Sequence, residues 1–487
     1  MAMDMAHRDH LLAAAHGALA AATLVACVLA EAAVLALRRG DGAAGMLCYY
    51  LVPVSAMLLL YRSRRRAAAA RVGLVDFACL RPPPRLRIPV AGLLEHFKLI
   101  GCFDDGSVEF MTKVIEASGM GNETYFPPSL HHIPPAATHG EAIREAHMLF
   151  FPALDDLFAK TGVPPSSVGA VVVNCSGFCA APSLSAIIAN RYGMPSDVRT
   201  CNLSGMGCAA GAIGVDVAAG LLRAHAAMSY AVVVSAEIVT VGWYSGKDQS
   251  KLLLNCYFRT GCSAALVTTK RGGGGVKYRL VSVTRTNQTA NDRSYRSGYR
   301  DEDDEGITGF TLGHGVGRMV SELLRAHLLT LSLSILPWRE KLRYVAALLR
   351  HRRHDKKAGS GGGIPMPDFR AAAEHFCLPS SGRPMIWRLG QGLGLGEGEM
   401  EAALMAFHRF GNQSAASLWY QLAYMEAKGR VRRGDTVWQL AVGSGLKANS
   451  LVWERVADDD HFATERHGRT TLGPWADCIH KYPVTEG

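Results

Sequence analysis

Two uninterrupted apolar runs stand out in the pattern of hydrophobic and polar positions along the chain. VGAVVVNCSG covers residues 168–177 and YAVVVSAE covers residues 230–237. Runs of this length, rich in β-branched residues and without polar alternation, are typical of strands buried on both faces. Between them, SLSAIIANRYG and residues 202–222 are typical of helices. The order strand, helix, helix, strand predicts a mostly parallel sheet with helices on both faces.

The pattern of residues 202–237 recurs at residues 409–445. Each segment has a small-residue loop, a helix, a basic turn and an apolar strand that ends in small residues. The recurrence predicts two related halves packed together, in which the two loop-to-helix corners meet near one site.

The N-terminal region is apolar over two runs, Leu11–Leu37 and Met46–Tyr61, separated by a short loop. Two such runs fit a membrane hairpin over residues 1–71, and the first is longer than the apolar core of a signal peptide. The arginine-rich segment RSRRRAAAAR follows, and a cluster of this kind stays on the cytoplasmic side of a membrane. The rest of the chain is therefore expected in the cytosol. A buried pair of alanine-rich helices is the alternative for residues 1–71.

A third apolar stretch, from Val320 to Arg350, is helical in period and is interrupted at Pro337. Its apolar positions are punctuated by basic residues, a pattern found in helices that lie on a membrane surface. A helix that covers the protein core has the same pattern, so both interpretations stand at this point.

The overall charge limits the kinds of partner. A net charge of +10 and a pI near 9.0 suit an anionic membrane surface, an acidic small molecule or nucleic acid. Basic patches with interleaved aromatic residues are absent from the sequence, so a nucleic-acid partner is not expected. The 12 cysteines are scattered, which indicates a reducing compartment without disulfides or zinc.

Cys208 is the strongest candidate for chemistry. It stands at the start of the small-residue helical segment, directly after Gly205-Met206-Gly207. The amides and the dipole at a helix N-terminus favour a thiolate and are expected to lower the cysteine pKa. A slim helix behind the thiol leaves room for neighbours to approach closely. A buried cysteine that serves only packing is the alternative.

Several longer motifs resemble those of the plant 3-ketoacyl-CoA synthases, the membrane-bound condensing enzymes that elongate very-long-chain fatty acids. The similarity runs from about Val72 to Glu454, together with the N-terminal hairpin. The motifs that carry it are LVDFACLRPP, NLSGMGCAAGAIGVDVAAGLL, AVVVSAEIVTVGWYSGKD, NCYFRTGCSAAL, PDFRAAAEHFC and HRFGNQSAASLWYQLAYMEAKGRVRRGDTVWQLAVGSGLKANS.

The resemblance implies an α/β class fold of the thiolase type, duplicated in α/β/α/β/α layers. It would comprise a membrane hairpin (1–71), an N-terminal half with the nucleophilic cysteine (72–270) and a C-terminal half with the His/Asn loops (271–487). It also implies a Cys–His–Asn centre where the halves meet. The matching residues are Cys208 as the nucleophile, Asn412 and His408 in HRFGN, and His375 in EHFC.

The chain departs from the family pattern at two places. The family reads EHFCIHAGGRAVI, where the histidine after CI is the base and oxyanion donor, whereas this chain reads EHFCLPSSGRPMI with Pro379 at that place. Proline has neither an imidazole nor a backbone N–H. Asn287 stands where the family usually carries histidine. Either His375 or His408 takes over the missing role, or condensation is severely impaired.

The function implied by the resemblance is condensation of an acyl-CoA with malonyl-CoA at the endoplasmic reticulum membrane, without a metal or nucleotide cofactor. A homodimer, or a heterodimer with related synthases, and association with other elongase subunits are the expected partners. Because of Pro379, a non-catalytic paralogue that dimerises with active synthases and regulates them is the alternative. Slow hydrolysis of an acylated Cys208 is a third hypothesis.

Overall fold

A computed structural model describes residues 72–225, 227–270, 275–313, 315–358, 366–457 and 473–484. The membrane hairpin predicted for residues 1–71 lies outside the described residues.

The strands follow from the apolar runs of the sequence. Their bounds are β1 (Gly73–Cys79), β2 (Val168–Asn174), β3 (Arg199–Leu203), β4 (Tyr230–Ala236), β5 (Cys262–Thr268), β6 (Tyr278–Asn287), β7 (Gly298–Glu302), β8 (Thr308–Leu312), β9 (His375–Cys377), β10 (Thr436–Gly443) and β11 (Lys447–Arg455). Nine of these described strands form one sheet in the order β3-β2-β4-β5-β1-β6-β11-β10-β9, and β7 pairs with β8.

The helices alternate with the strands. Their bounds are α1 (Val90–Ile100), α2 (Asp105–Ala117), α3 (His139–Thr161), α4 (Leu184–Arg191), α5 (Ala210–Ala224), α6 (Gln249–Tyr257), α7 (Asp292–Tyr295), α8 (Val316–Ile335), α9 (Trp338–Ala358), α10 (Arg383–Gly392), α11 (Glu397–Phe410) and α12 (Ser417–Ala427). The predicted interruption at Pro337 is confirmed, because α8 ends at Ile335 and α9 begins at Trp338.

The pleat of the sheet divides the core into layers. On β2, Val171 and Val173 pack towards α3 and α4, whereas Ala170 and Val172 pack towards α5 and α12. Since successive side chains of a strand point to opposite faces, one strand can serve two layers. In the second half of the sheet, β10 and β11 likewise contact α8 and α11 on the outer face and α5 and α12 on the inner face. The layers therefore follow the order outer helices, first half-sheet, central helices, second half-sheet and outer helices. This is the order that the thiolase-type α/β/α/β/α prediction requires.

The prediction of a mostly parallel sheet is wrong. The pairs β2–β3, β2–β4 and β9–β10 are parallel, but the other neighbours in the nine-stranded sheet are antiparallel. The apolar runs that suggested parallel strands are β2 and β4, which are parallel to each other. The antiparallel pair β10–β11 is a tight hairpin, whose short connection permits only that direction.

The first strand lies in the middle of the sheet. β1 pairs with β5 along most of its length and with β6 through Gly73 and Leu74, which joins the two half-sheets. Asp76 on β1 accepts a hydrogen bond of 3.1 Å from the buried Lys277 ammonium, just before β6. The two half-sheets are therefore joined both by backbone hydrogen bonds and by an ion pair.

Among the described residues, one helical segment, Gly207–Ala224, is long and apolar enough to span a membrane by length and composition. It includes α5, which packs against β2 and β4 as a core helix. Its apolar character is explained by this position.

Candidate active site

Cys208 lies in a single helical turn, Gly207–Ala209, that leads directly into α5. Gly207 has a φ of +59°, and a Cβ added there would lie 2.7 Å from the backbone nitrogen of Ser444. The Ser444 hydroxyl donates a 3.1 Å hydrogen bond to the Gly205 carbonyl. The turn is therefore pressed against the end of β10, and a side chain at position 207 would separate them. Glycine is required here for close approach as well as for the backbone conformation.

The small residues of α5 bring the second half of the chain close to Cys208. A Cβ added to Gly211 would lie 2.5 Å from the carbonyl oxygen of Ala415. A Cβ added to Gly214 would lie 2.9 Å from Val233 on β4. The sequence-based expectation of a slim helix behind the thiol is thus confirmed, with backbone of the other half as the neighbour.

Asn412 is held at the corresponding corner of the second half, between α11 and α12. Its backbone N–H donates to the Tyr257 carbonyl at 3.0 Å, and its carbonyl accepts from the N–H of Arg259 at 2.9 Å. Its side-chain oxygen accepts from the backbone N–H of Ser414 at 2.7 Å. The Asn412 side chain is buried, and it acts to lower the pKa of the Cys208 thiol. The structure therefore brings together two of the predicted site residues, Cys208 and Asn412.

Ser414 is a site residue that sequence reasoning missed. Its hydroxyl oxygen lies 3.6 Å from the Cys208 sulfur. It has a φ of +54°, a conformation that costs a non-glycine residue about 1–3 kcal/mol. The hydrogen bond from its N–H to Asn412 helps to hold this backbone. Its place two residues after the matched asparagine is the signal that would have drawn attention to it.

Glu237 is a second such residue, immediately after β4. Its carboxylate accepts hydrogen bonds from the backbone N–H groups of Ser176, at 3.0 Å, and Gly177, at 2.6 Å. The signal for it in the sequence is a charged residue directly after the apolar strand YAVVVSAE.

Burial controls the protonation of the thiol. It raises the pKa of Cys208 to about 11, although hydrogen bonds from Ser414 and Asn412 act to lower it. The negative charge of Glu237 raises it further. The predicted lowering of the cysteine pKa is therefore wrong, because desolvation outweighs the helix N-terminus. Burial also raises the pKa of Glu237, against the hydrogen bonds it accepts from Gly177 and Ser176.

The structure does not bring His375 to this site. It begins β9 beside Val437, and its Nε2 lies 2.9 Å from the carboxylate of Asp435, just before β10. Cys208 lies at the other end of β10, near Gly443 and Ser444. With a rise of about 3.3 Å per residue, the two ends of β10 are roughly 20 Å apart.

His408 lies in the last turn of α11 and is half-buried. A Cβ added to Gly121 would lie 2.5 Å from its Nε2, and its ring packs edge-on against Tyr482 at 6.0 Å. Its Nδ1 has no hydrogen-bond partner among the described residues. Burial lowers the pKa of His408, which favours the neutral ring. Its contacts are those of a packing residue.

Pro379 follows β9 in a loop that is tied to α12. Gln421 on α12 accepts from the N–H of Leu378 at 2.8 Å and donates to its carbonyl at 2.7 Å. The next residue, Ser380, is buried and accepts a 3.2 Å hydrogen bond from the same Gln421 amide. The loop is thus fixed on both sides of a residue that has no side-chain donor. Asn287, the other departure, ends β6 and accepts a 2.8 Å hydrogen bond from the N–H of Thr289.

Family comparisons agree with this geometry. Residues 61–353 match the family described as FAE1/Type III polyketide synthase-like protein, and residues 372–455 match the C-terminal domain of 3-oxoacyl-[acyl-carrier-protein] synthase III. The chain is 45% identical to 3-ketoacyl-CoA synthase 4 of Arabidopsis thaliana over 417 residues, which cover 85% of this chain and 78% of that protein. It is 43% identical to 3-ketoacyl-CoA synthase 6 of the same plant, over 84% of this chain and 80% of that protein.

Solved structures share the fold. The 1,3,6,8-tetrahydroxynaphthalene synthase of Streptomyces coelicolor A3(2), a bacterial type III polyketide synthase, superposes with a TM-score of 0.60 at 17% identity, over 79% of this chain and 99% of that one. CsyB, solved in complex with CoA-SH, superposes with a TM-score of 0.57 at 16% identity, over 79% of this chain and all of that one. The thiolase-like fold of the type III polyketide synthases is therefore the fold of this chain.

Proposed function

Because the chain belongs to the family of plant 3-ketoacyl-CoA synthases, we propose that it condenses an acyl-CoA with malonyl-CoA to a 3-ketoacyl-CoA in very-long-chain fatty acid elongation. The single observation that supports this best is the position of Cys208, half-buried just before α5, where the Ser414 hydroxyl of the Asn412 corner lies 3.6 Å from its sulfur.

The proposed reaction has two stages. The Cys208 sulfur attacks the acyl-CoA thioester, so that a new C–S bond forms and CoA leaves with a proton. Malonyl-CoA then loses CO2, and the resulting enolate attacks the acyl carbon and releases Cys208. The Asn412 amide is the proposed donor to the enolate oxygen, and no metal or nucleotide is needed for these steps. Pro379 supplies no second side-chain donor, and one missing donor typically costs about 100- to 1000-fold in rate.

A regulatory role is the second candidate, and Pro379 is the observation that favours it. The Leu378 and Ser380 hydrogen bonds to Gln421 hold the loop in place around the proline. A chain with this loop could keep its fold and its dimer surface while condensation is weak. In this role the protein would pair with active synthases and change their output.

One panel of variants separates the two functions. Microsomes that contain the wild type, Pro379→His or Cys208→Ala are given labelled malonyl-CoA and a C16–C20 acyl-CoA. Product from the wild type above the Cys208→Ala level supports the synthase, and Pro379→His should raise it by about 100- to 1000-fold. If the wild type equals Cys208→Ala and only Pro379→His forms product, the native chain does not condense, as the regulatory role requires. Pro379→Ala, which restores a backbone N–H without an imidazole, is the matched control.

The proposed location is the endoplasmic reticulum membrane with the catalytic region in the cytosol. The two N-terminal apolar runs and the arginine cluster after them support this orientation. Protease added to sealed microsomes should then digest residues 72–487, and protection of that region would contradict the orientation. A homodimer or a heterodimer with related synthases is proposed from the family, with co-purification of differently tagged copies as its test.

A further inference from the structure

Helix α9 carries a row of apolar side chains that the fold leaves uncovered. Trp338, Leu342, Val345 and Leu349 are each between 49% and 66% exposed. They follow one another at intervals of four, three and four residues. Because an α-helix has 3.6 residues per turn, these intervals place all four side chains on one face of α9.

Helix α8, by contrast, covers the core. Its Leu323, Leu328 and Leu331 are buried among apolar side chains of β11 and α11. None of the four exposed side chains in the described part of α9 belongs to this core. The two interpretations of the stretch from Val320 to Arg350 therefore apply to different helices: α8 is a cover helix, and α9 has the exposed apolar face of a surface-bound helix.

The exposed charges in the described part of α9 are all positive. Arg339, Arg343 and Arg350 are exposed, and their spacing sets them in a second row, about a third of a turn from the apolar row. Glu340 is buried and accepts a 3.3 Å hydrogen bond from Arg343. The face that α9 turns to solvent is therefore an apolar row bordered by arginines.

Two other surface helices have a different pattern. On α1 the Lys98 ammonium lies 2.8 Å from Glu95, and on α2 the Lys113 ammonium lies 2.5 Å from Glu109. Pairs of opposite charge at this spacing are typical of helix faces in contact with water. Leu99 on α1 is also 63% exposed, but it stands next to such a pair. Single exposed leucines are common, whereas a continuous apolar row marks a surface that binds a partner or a membrane.

We propose that the α9 surface, formed by Trp338, Leu342, Val345, Leu349 and the row of three arginines, docks on the anionic surface of a membrane. The apolar row would enter the boundary between headgroups and acyl chains, where tryptophan is favoured, and the arginines would reach the lipid phosphates beside it. The Arg339 guanidinium lies 5.6 Å from the centre of the Trp338 ring, so the ring and the charge can occupy the same depth. This docking does not depend on the proposed condensation, and it attaches the folded region to lipid at a place other than the predicted hairpin.

The test uses the full-length chain reconstituted in vesicles. A photoreactive benzoylphenylalanine replaces Leu342 in one protein and Leu99 in a second, and these positions are matched in exposure at 60% and 63%. The vesicles contain phosphatidylcholine alone or phosphatidylcholine with phosphatidylserine. After illumination, mass spectrometry of the labelled peptides measures the phospholipid adducts. In vesicles with phosphatidylserine, the adduct at Leu342 should exceed the adduct at Leu99 by about tenfold.

A second pair of variants tests the charge. Arg339→Gln combined with Arg350→Gln should lower the adduct at Leu342 in phosphatidylserine vesicles by up to about 30-fold, because each arginine near an anionic surface contributes a factor of about five. In phosphatidylcholine alone the same change should have little effect. Arg85→Gln combined with Arg296→Gln removes the same charge from two exposed arginines elsewhere and is the matched control.

Three outcomes would overturn the docking. The first is equal lipid adducts at Leu342 and Leu99, and the second is an adduct at Leu342 that depends neither on phosphatidylserine nor on the two arginines. The third is a crosslink from Leu342 to a second copy of the chain or to residues 1–71, because protein would then cover the α9 surface. The substituted side chains are exposed, and thermal melts check that each variant folds. A chain that gives the predicted adducts but forms no 3-ketoacyl-CoA supports the docking and contradicts the proposed function.

Discussion

The two loop-to-helix corners that meet at Cys208 are built from different kinds of residue. In the first half, the corner before α5 consists of glycine and alanine around the thiol, and it works by close approach to Ser444 and Ala415. In the second half, the corner before α12 contains the buried polar side chains of Asn412, Gln413, Ser414 and Ser417. These are joined by hydrogen bonds such as the one from the Gln413 N–H to the Ser417 hydroxyl at 3.0 Å.

The difference shows how a duplicated fold builds an asymmetric site. The first corner leaves the Cys208 sulfur accessible because the residues around it are small. The second corner aims an amide and a hydroxyl at that sulfur, and buried polar groups can hold such a position only when they are hydrogen bonded. The nucleophile therefore comes from one half of the chain, and the donors positioned around it come from the other half.

Loss of the sulfur is expected to have the largest effect. Cys208→Ala should abolish acylation by acyl-CoA, with a fall in rate of about 10⁶-fold, as is typical when an activated nucleophile is removed. Intact-protein mass spectrometry after incubation with stearoyl-CoA checks this. Cys201→Ser, at a half-buried thiol on the neighbouring β3, is the control that should still be acylated. An acyl adduct on Cys208→Ala would show that the nucleophile lies elsewhere.

Loss of the amide at the second corner ranks next. Asn412→Ala should lower condensation by about 100- to 1000-fold, in the wild type and in Pro379→His, because the enolate loses its side-chain donor. Acylation of Cys208 should change much less. Asn412→Asp keeps the side-chain oxygen that accepts from Ser414 but loses the N–H donor, so it should behave like Asn412→Ala. Equal losses of acylation and condensation would mean that Asn412 acts only by holding the corner.

The reliance of the second half on buried polar groups extends to its sheet. His327 on α8 is fully buried and hydrogen bonds Thr286 at 2.9 Å and Ser450 at 2.7 Å. Burial lowers the pKa of His327 to about 4, whereas an unfolded histidine titrates near 6.5. Between these values the unfolded state binds more protons, so stability is complete above pH 6.5 and falls by about 3 kcal/mol as the pH drops to 4.

The variant His327→Gln tests this contribution. It cannot take up a proton, so its free energy of unfolding should depend less steeply on pH between 6.5 and 4 than that of the wild type. Denaturant titrations at several pH values measure the difference. Parallel curves for the two proteins would contradict the assignment of the pH dependence to His327.

The smallest effect is expected at His375, at the far end of β10. His375→Ala should destabilise the fold by about 1 kcal/mol, because it removes a partly buried contact with Asp435. Burial opposes ionisation of Asp435, but hydrogen bonds from the Arg432 N–H and from His375 lower its pKa overall. Acylation of Cys208 should be unchanged. His480→Ala, at an exposed histidine, is the control, and a large loss of acylation in His375→Ala alone would return His375 to the active site.

Sequence reasoning located Cys208 and Asn412 but not Ser414, which contacts both. The apolar runs and the repeated corner were enough to predict buried strands and a meeting of two corners. The position of Ser414 depends on a left-handed backbone that serine rarely adopts, so residue preference gives no sign of it. His375 shows a different limit of the sequence. Its motif matches the family, but the match does not show at which end of β10 His375 lies.

The central place of β1 in the sheet has a consequence for how the chain is made. Asp76 and Lys277, which meet at the joint of the half-sheets, are 201 residues apart in sequence. Strand β1 is therefore synthesised early and stays unpaired until β5 and then β6 have been synthesised. Contacts of such long range slow folding and leave apolar strand edges exposed in the meantime. Assembly of this protein in the cell should accordingly depend on chaperones that shield β1 during synthesis.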